Sequence, residues 1–358
     1  MQAKMLRIVD RYFGMFLYVW SWMLLPFLTN RAENKNVLVI KLWAIGESVL
    51  VLPSIKALKN KGYNITVICT KQNKAVFESQ MFIDRVVIFD FKNPFKAVAA
   101  ILSLRKYRFS VSIDSDPYMK FSAVLGAISG ASVRHGLDNR RHLYTRSVKI
   151  DENEHAVLSF YRIFASFQLF PVPRALVPIY VKPLNMALPS KSLAIHAGSA
   201  STSRTRRWSE ENFAAVCDFF ASKGWAVYLV GAANEKGLNK RIISCCKHRN
   251  RIQNLSGQLS LHELAYLFSK MKLVIANDAG PMHIAAAMGT PTLGLFGPNV
   301  PERFGPYGKN CMGLRKDNKP PCILPFRAQF PECDHEHMKN LSAQDVIEAA
   351  KTILAKIR

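Results

Sequence analysis

From residue 36 onward, short apolar runs alternate with longer stretches whose apolar positions recur every three or four residues. Residues 36–42, 65–69, 85–89 and 109–113 read as buried strands, and residues 53–61 as a helix stopped near Gly62. Strands separated by helices imply a parallel sheet with right-handed crossovers. Residues 134–149 are basic and polar. Residues 170–189 hold Pro171, Pro173, Pro178, Pro183 and Pro189, which no helix can carry through, so the interdomain linker is placed there. The pattern then restarts, with strands at 192–196, 226–230, 273–276 and 292–296 and helices at 210–223 and 261–271. In the first of these helices Phe213, Val216, Cys217 and Phe220 share a face, and Gly224 ends it. A last helix opens at Ser342, where Asp345 completes a capping box, with Val346, Ala350, Ile353 and Ile357 as its apolar stripe. The expected division is 1–35, 36–175, 176–341 and 342–358. The expected class is α/β, with two Rossmann-like domains facing a cleft at the carboxyl ends of their strands.

Residues 1–35 stand apart. Phe13, Phe16, Leu17, Tyr18, Val19, Trp20, Trp22, Met23, Leu24, Leu25, Phe27 and Leu28 crowd one segment; Lys4, Arg7 and Arg11 precede its core, and Arg31 and Lys35 follow. The run is shorter than the roughly 20 apolar residues a spanning helix needs, and Pro26 interrupts it. No small-residue cleavage site follows it. Tryptophans with basic flanks favour a helix lying in, or dipping into, the cytoplasmic leaflet. The alternative is a helix packed on the protein's own surface.

Composition sharpens this picture in one respect. The 358 residues carry 49 Lys+Arg against 25 Asp+Glu, a formal charge of +24, while 49% of residues are hydrophobic. So apolar a chain is not a disordered basic tail. Seven cysteines in this length are no disulfide scaffold and read as reduced thiols. The charge asks for an anionic partner: nucleic acid, a membrane surface or a phosphorylated ligand.

Three segments could carry chemistry. After the strand that ends at Ala276, the chain turns through Asp278 and Gly280, Pro281 suits the first turn of a helix, and Gly289 suits its stop. A helix end of this kind binds anions, with Asp278 and His283 beside it; the plain alternative is a capping aspartate and a packed histidine. After the strand at 192–196, Gly198, Ser199, Ser201, Thr202 and Ser203 allow close backbone approach to phosphate, and Arg204, Arg206 and Arg207 supply forked donors; the alternative is a solvated basic loop. Neither ordinary nucleotide fingerprint, GxGxxG or the P-loop, is present there. After the first strand, Glu47 sits where a general base would face the cleft, or where a solvent-facing acid would start a helix. Cys311, Cys322, Cys333, His335 and His337 lack the close pairing of zinc ligands, so no metal is expected.

Taken in order, these segments resemble glycosyltransferase family 9, the heptosyltransferase family of lipopolysaccharide core assembly. The resemblance runs from residue 36 to about 357. It rests on the opening strand with Gly46-Glu47 and Leu52-Pro53, on Arg134-His135-Gly136, on His196-Ala197-Gly198-Ser199 with Arg207-Trp208, and on Gly231 with Glu235. Leu255-Ser256-Gly257, Asn277-Asp278-Ala279-Gly280-Pro281-Met282-His283, and Gly297-Pro298 with Gly305-Pro306-Tyr307-Gly308 complete it. The resemblance implies a GT-B fold and an inverting transfer, without cofactor or metal, from a nucleoside-diphosphate sugar such as ADP-heptose to an anionic lipid-linked saccharide. It implies that Ser199, Arg206, Asp278, Ala279, Gly280 and His283 surround the diphosphate and that Glu235 lies near the nucleoside. Glu47 would deprotonate the acceptor, while Arg134, Arg140 and Arg141 would meet it. It places the enzyme on the cytoplasmic face of the inner membrane. The family usually has Asp where this chain has Glu47, and often Lys where it has Arg206. Three rivals follow from the sequence. The first, favoured by Glu47 standing for Asp, is a non-catalytic membrane-surface glycolipid-binding protein on a degenerate GT-B fold. The second is a nucleotide-sugar epimerase. The third is a nucleic-acid binder, for which the chain shows no reader motif.

Overall fold

Two six-stranded parallel sheets organise the chain, one in a compact unit running to Pro173 and one in a unit from Arg174 onward. The structure is a computed structural model that describes residues 2–29, 33–117, 119–149, 151, 153–167, 171–199, 204–316, 321 and 335–356. The first unit holds β1 (Asn36–Ile40), β2 (Asn64–Cys69), β3 (Arg85–Ile88), β4 (Val111–Asp114), β5 (Val133–Leu137) and β6 (Arg146–Val148). Its helices are α1 (Gln2–Leu28), α2 (Ile45–Asn60), α3 (Lys74–Phe77), α4 (Pro94–Lys106), α5 (Lys120–Ile128) and α6 (Ala156–Phe164). The second holds β7 (Ser192–His196), β8 (Ala226–Val230), β9 (Ile252–Asn254), β10 (Leu273–Asn277), β11 (Thr292–Leu295) and β12 (Cys311–Leu314). Its helices are α7 (Glu210–Ser222), α8 (Lys236–Cys245), α9 (Leu261–Lys270), α10 (Gly280–Ala287), α11 (Pro301–Phe304) and α12 (Ala343–Ala355).

The sheet orders are β3-β2-β1-β4-β5-β6 and β12-β11-β10-β7-β8-β9, the same doubly wound order twice. Val37, Leu38, Val39 and Ile40 of β1 are wholly buried, as a strand covered on both faces requires. In each sheet the strand order reverses once, between β1 and β4 in the first and between β7 and β10 in the second. Such a reversal opens a ligand crevice beyond the strands' carboxyl ends. The segments holding Glu47, Ser199 and Asp278 follow β1, β7 and β10, so all three leave their sheets at these points.

Helix α2 and strands β5, β6, β9 and β12 differ from the sequence expectation. Helix α2 begins at Ile45, not at Pro53, which lies inside it. The apolar run before Pro53 is helical because the helix is buried from Gly46 to Ile55 and packs on α6. Packing there outweighs the backbone bond that proline forgoes. Residues 134–149, read as a polar stretch, include β5 and β6, which extend the sheet beyond β4. β6 is the edge strand and needs no apolar run, while β5 beside it carries Arg134, His135 and Gly136. Described residues 171–191, with their five prolines, form neither helix nor strand.

Helix α1 docks on α5. Leu17, Tyr18 and Leu25 pack against Ala123, Val124 and Ala127. The Asp10 carboxylate accepts the N–H groups of Lys120 and Phe121, both at 2.9 Å, and so caps α5 from a distant helix. A Cβ on Gly14 would lie 2.6 Å from an Asp10 carboxylate oxygen, so a glycine there keeps room for the cap. The opposite face, with Phe16, Val19, Trp20, Met23 and Phe27, is exposed. Among the described residues no helix is long and apolar enough to cross a membrane. One face of α1 thus follows the packed-helix alternative, while the other keeps its apolar side chains in the open.

His135 on β5 is buried, with its ring 5.3 Å from Phe167. Burial first, then the charge of Arg146, pushes its imidazole from 6.5 down to about 4. As pH falls below 6.5 the unfolded chain binds this proton, whereas the folded chain takes it up only near 4. Stability from this group is therefore complete above 6.5 and is lost down to about 4, by at most about 3 kcal/mol. Urea unfolding of wild type and His135→Gln across this range should show the wild type losing more stability toward acid. Parallel curves would remove His135 as the cause.

Candidate active site

At the reversal point of the first sheet, Glu47 stands in the first turn of α2 and is largely buried. The chain enters that turn through Ala44, whose φ of 66° lies in the left-handed region. Such a conformation in a non-glycine residue costs of order 1–3 kcal/mol and persists where its surroundings enforce it. The enforcing group is Asp116, just past β4. Its Oδ2 accepts the N–H of Leu42 at 3.1 Å and of Trp43 at 2.9 Å. Lys41, with 0% of its side chain exposed, places Nζ 2.7 Å from Glu47 Oε2 and 4.0 Å from Asp116 Oδ2, and 5.5 Å from the centre of the Phe160 ring. A buried ammonium is tolerable only beside such carboxylates. The Asn73 amide donates to Lys41 O at 2.9 Å and Ser48 Oγ at 2.8 Å, tying the strand end to the helix. Beneath this group, Asp114 accepts the Asp116 N–H at 2.9 Å, the Ser122 hydroxyl at 2.7 Å and the Tyr144 hydroxyl at 2.5 Å. Lys41, Asp114 and Asp116 were not foreseen from sequence. Their signal was the lysine inside an apolar strand and the paired acids closing β4.

The expected acceptor arginines separate. Arg134 is buried, and its guanidinium donates to Leu143 O at 2.8 Å and Ala131 O at 2.7 Å. It therefore ties β5 to the 3-10 turn at Asp138–Leu143. Burial lowers its pKa from the usual arginine value. Arg140 and Arg141 lie in that turn, and their side chains fall outside the described residues.

At the reversal point of the second sheet, α10 begins with Ala279 as its N-cap residue and Gly280 and Pro281 as its first residues. These three are half-buried, while Asp278 and His283 are buried. The first N–H groups of a helix have no partner within it, and its dipole adds partial positive charge. Three further loops reach the same place. The Asp278 carboxylate accepts from the Asn299 amide at 2.9 Å and meets the Arg206 guanidinium at 3.3 Å, while Asp278 O accepts from Arg206 at 3.4 Å. The Arg207 guanidinium donates to Ser199 Oγ at 3.1 Å and Ser199 O at 3.2 Å. Asn277, wholly buried, donates to Ala197 O at 2.8 Å and accepts the Trp208 N–H at 3.4 Å. One amide thus joins the β7 loop, the arginine segment and the β10 turn. The sequence placed Asn277 in its motif but gave it no task, because its partners lie 80 and 69 residues away.

Glu235 is buried beside this group. Its carboxylate lies 3.4 Å from His196 Nε2 and accepts the Ala232 N–H at 2.8 Å. Burial acts to raise its pKa, but the His196 bond and charge, the Ala232 amide and Arg207 outweigh burial and hold it below the ordinary carboxylate value. A side chain at Gly198 would collide with the Glu235 carboxylate, so glycine is required where β7 ends. Arg204 has no described side chain. Among the described residues no three His, Cys, Asp or Glu side chains are placed to hold a metal ion.

Two sheets of one doubly wound order, with a helix N-terminus and the Arg206 and Arg207 side chains at a reversal point, have the architecture of the GT-B glycosyltransferases. A solved family 9 glycosyltransferase from Veillonella parvula shares this fold over 92% of this chain and 99% of its own, with a TM-score of 0.74 at 19% identity. The Escherichia coli ADP-heptose lipopolysaccharide heptosyltransferase II shares it over 90% and 99%, with a TM-score of 0.71 at 19% identity. The sequence profile of glycosyltransferase family 9 (heptosyltransferase) matches residues 98–324, and the chain belongs to that family. It is 26% identical to lipooligosaccharide heptosyltransferase 2 of Campylobacter jejuni, over 87% of this chain and 95% of the relative. It is 24% identical to lipopolysaccharide heptosyltransferase 1 of E. coli K12, over 87% and 89%.

Proposed function

We propose that this enzyme transfers a heptose from ADP-heptose to a hydroxyl of a lipid-linked saccharide in lipopolysaccharide core assembly, with inversion. The observation that carries this reading is the convergence of Ser199, Arg206, Arg207 and Asp278 on the N-terminus of α10 in a family 9 chain. The acceptor oxygen attacks the anomeric carbon, the bond to the diphosphate breaks, and the attacking hydroxyl's proton passes to Glu47. Negative charge grows on the departing diphosphate, and the α10 helix end and the Arg206 fork stabilise it there. Ala279, Gly280 and His283 complete the diphosphate contacts, and Glu235 orders the β7 loop close to the nucleoside. Lys41 and Asp116 hold Glu47 in place. Arg140 and Arg141 meet the anionic acceptor, while Arg134 fixes the turn that carries them. No cofactor takes part.

The enzyme works on the cytoplasmic face of the inner membrane, where the outward face of α1 meets lipid. The test of donor identity is a panel of nucleotide sugars read by thermal unfolding, because a ligand that binds only the folded state raises apparent stability by mass action. ADP-heptose should raise the midpoint most and should yield a product one heptose heavier when a lipid-linked core acceptor is added. Stabilisation by another nucleotide sugar alone would overturn the heptose assignment.

A further inference from the structure

Helix α4 is apolar on both sides. Its inner face, Ala97, Ala100, Ile101 and Leu104, packs into the core with Leu125 and Phe121 of α5. Its outer face carries Phe95, Val98 and Leu102, exposed by 86%, 55% and 59%. A helix that is apolar all round is ordinarily buried in protein or in lipid. Helix α1 has the same character: Phe16, Trp20, Met23 and Phe27 recur at helical spacing on its open side. Both helices rest on α5. The Arg105 guanidinium at the end of α4 bonds Ile128 O of α5 at 3.2 Å and Leu28 O of α1 at 3.4 Å, joining the ends of all three.

We infer that α4 and α1 together form a surface that docks on an anionic lipid bilayer. This rests on the membrane placement proposed above and changes its site from one segment to two helices, one of them inside the first α/β unit. Charge decides the occupant. Residues 91–108 contain Lys92, Lys96, Arg105, Lys106 and Arg108 and no acid. Lys92, Lys96, Lys106 and Arg108 are exposed. On the α1 side, the Lys120 ammonium lies 3.7 Å from the Met15 sulfur. Asp10 of α1 faces inward as the α5 cap. Protein interface cores are depleted in lysine, whereas exposed Phe and Trp bordered by cations mark helices seated among lipid headgroups.

The test is flotation of the full-length protein with vesicles of phosphatidylcholine, with and without phosphatidylglycerol. The comparison is between wild type, an α4 variant (Phe95→Ser, Val98→Ser, Leu102→Ser) and an α1 variant (Phe16→Ser, Trp20→Ser, Met23→Ser, Phe27→Ser). These side chains point away from the core, so unfolding midpoints and the stabilisation by ADP-heptose should stay at wild-type values. Wild type should bind the anionic vesicles, and each variant should lose about tenfold or more in partitioning, since several large apolar side chains no longer leave water. Undiminished binding by the α4 variant would overturn the two-helix surface and leave the α1 placement standing. Equal binding to neutral vesicles would overturn the role of charge. A wild type that ignores vesicles and instead dimerises through Phe95 would assign the face to a second copy and overturn the inference. None of these outcomes bears on donor binding, so the transferase reading stands or falls separately.

Discussion

Glu47→Gln should leave donor binding intact and lower transfer by about 10²–10⁴-fold, the range a positioned general base contributes. The substitution keeps the shape of the side chain and an acceptor oxygen for Lys41, but it removes the carboxylate proposed to take the acceptor's proton. It also removes one charge of a buried ion pair whose Nζ–Oε2 distance is 2.7 Å. Lys41 then keeps Asp116 at 4.0 Å as its carboxylate neighbour. Breaking a buried pair costs about 3–5 kcal/mol at the upper end, so the first unit should unfold at a lower temperature. Two measurements separate the effects. Stabilisation by ADP-heptose reports donor binding, proposed for the second unit, and single-turnover transfer reports chemistry. Full stabilisation with lost transfer is the expected pair of results, and wild-type turnover would remove Glu47 from the mechanism. Glu47→Asp tests reach. The shorter arm draws the carboxylate back from Lys41 by about a bond length, and displacements of about 1 Å can cost 10²-fold in rate.

Arg206→Ala should lower kcat by about 10²–10³-fold, as does removing one donor that stabilises developing charge in a water-poor site. The guanidinium is held by the Asp278 carboxylate at 3.3 Å and its carbonyl at 3.4 Å, so it is oriented before any substrate arrives. Its loss also leaves Asp278 with Asn299 as its remaining hydrogen-bond donor among these three groups. With the diphosphate at the proposed place, an uncompensated carboxylate would repel it, so KM for the donor should rise as well. Arg206→Lys keeps the charge without the fork, and it should recover donor affinity more fully than kcat. Equal kinetics for Arg206→Ala and wild type would show that the α10 helix end alone carries the leaving group.

Four strands of the second unit, β7, β8, β10 and β11, were legible almost to the residue, because runs such as Leu193-Ala194-Ile195 and Val227-Tyr228-Leu229 are buried on both faces of a parallel sheet and must be apolar throughout, whereas β9 and β12, the short strands at the two edges, were not read. The capping box at Ser342 and Asp345 was equally legible, since its bonds of 3.1 and 3.2 Å join residues three apart. β5 and β6 were not: β6 is an exposed edge strand, and β5 carries Arg134, His135 and Gly136, so neither shows an apolar run. The start of α2 was missed for the opposite reason: an apolar run before a proline is ambiguous until burial selects the helix.

The candidate site divides the same way. Glu47, Ser199, Arg206, Asp278 and His283 were singled out by motif order, which the chain carries in one dimension. What each does to the others was not. Lys41 meets Asp116 across 75 positions, Arg206 meets Asp278 across 72, and Asn277 reaches Ala197 across 80. That Arg134 bonds Leu143 O and Ala131 O is likewise visible only in three dimensions. Local periodicity and motif order determined the α/β class, the two doubly wound units and the family. Only the tertiary structure decided which charges are paired and which helix faces are covered. Those outcomes depend on strand crossovers that bring distant residues within hydrogen-bond distance, and on burial that makes an unpaired charge too costly to leave alone.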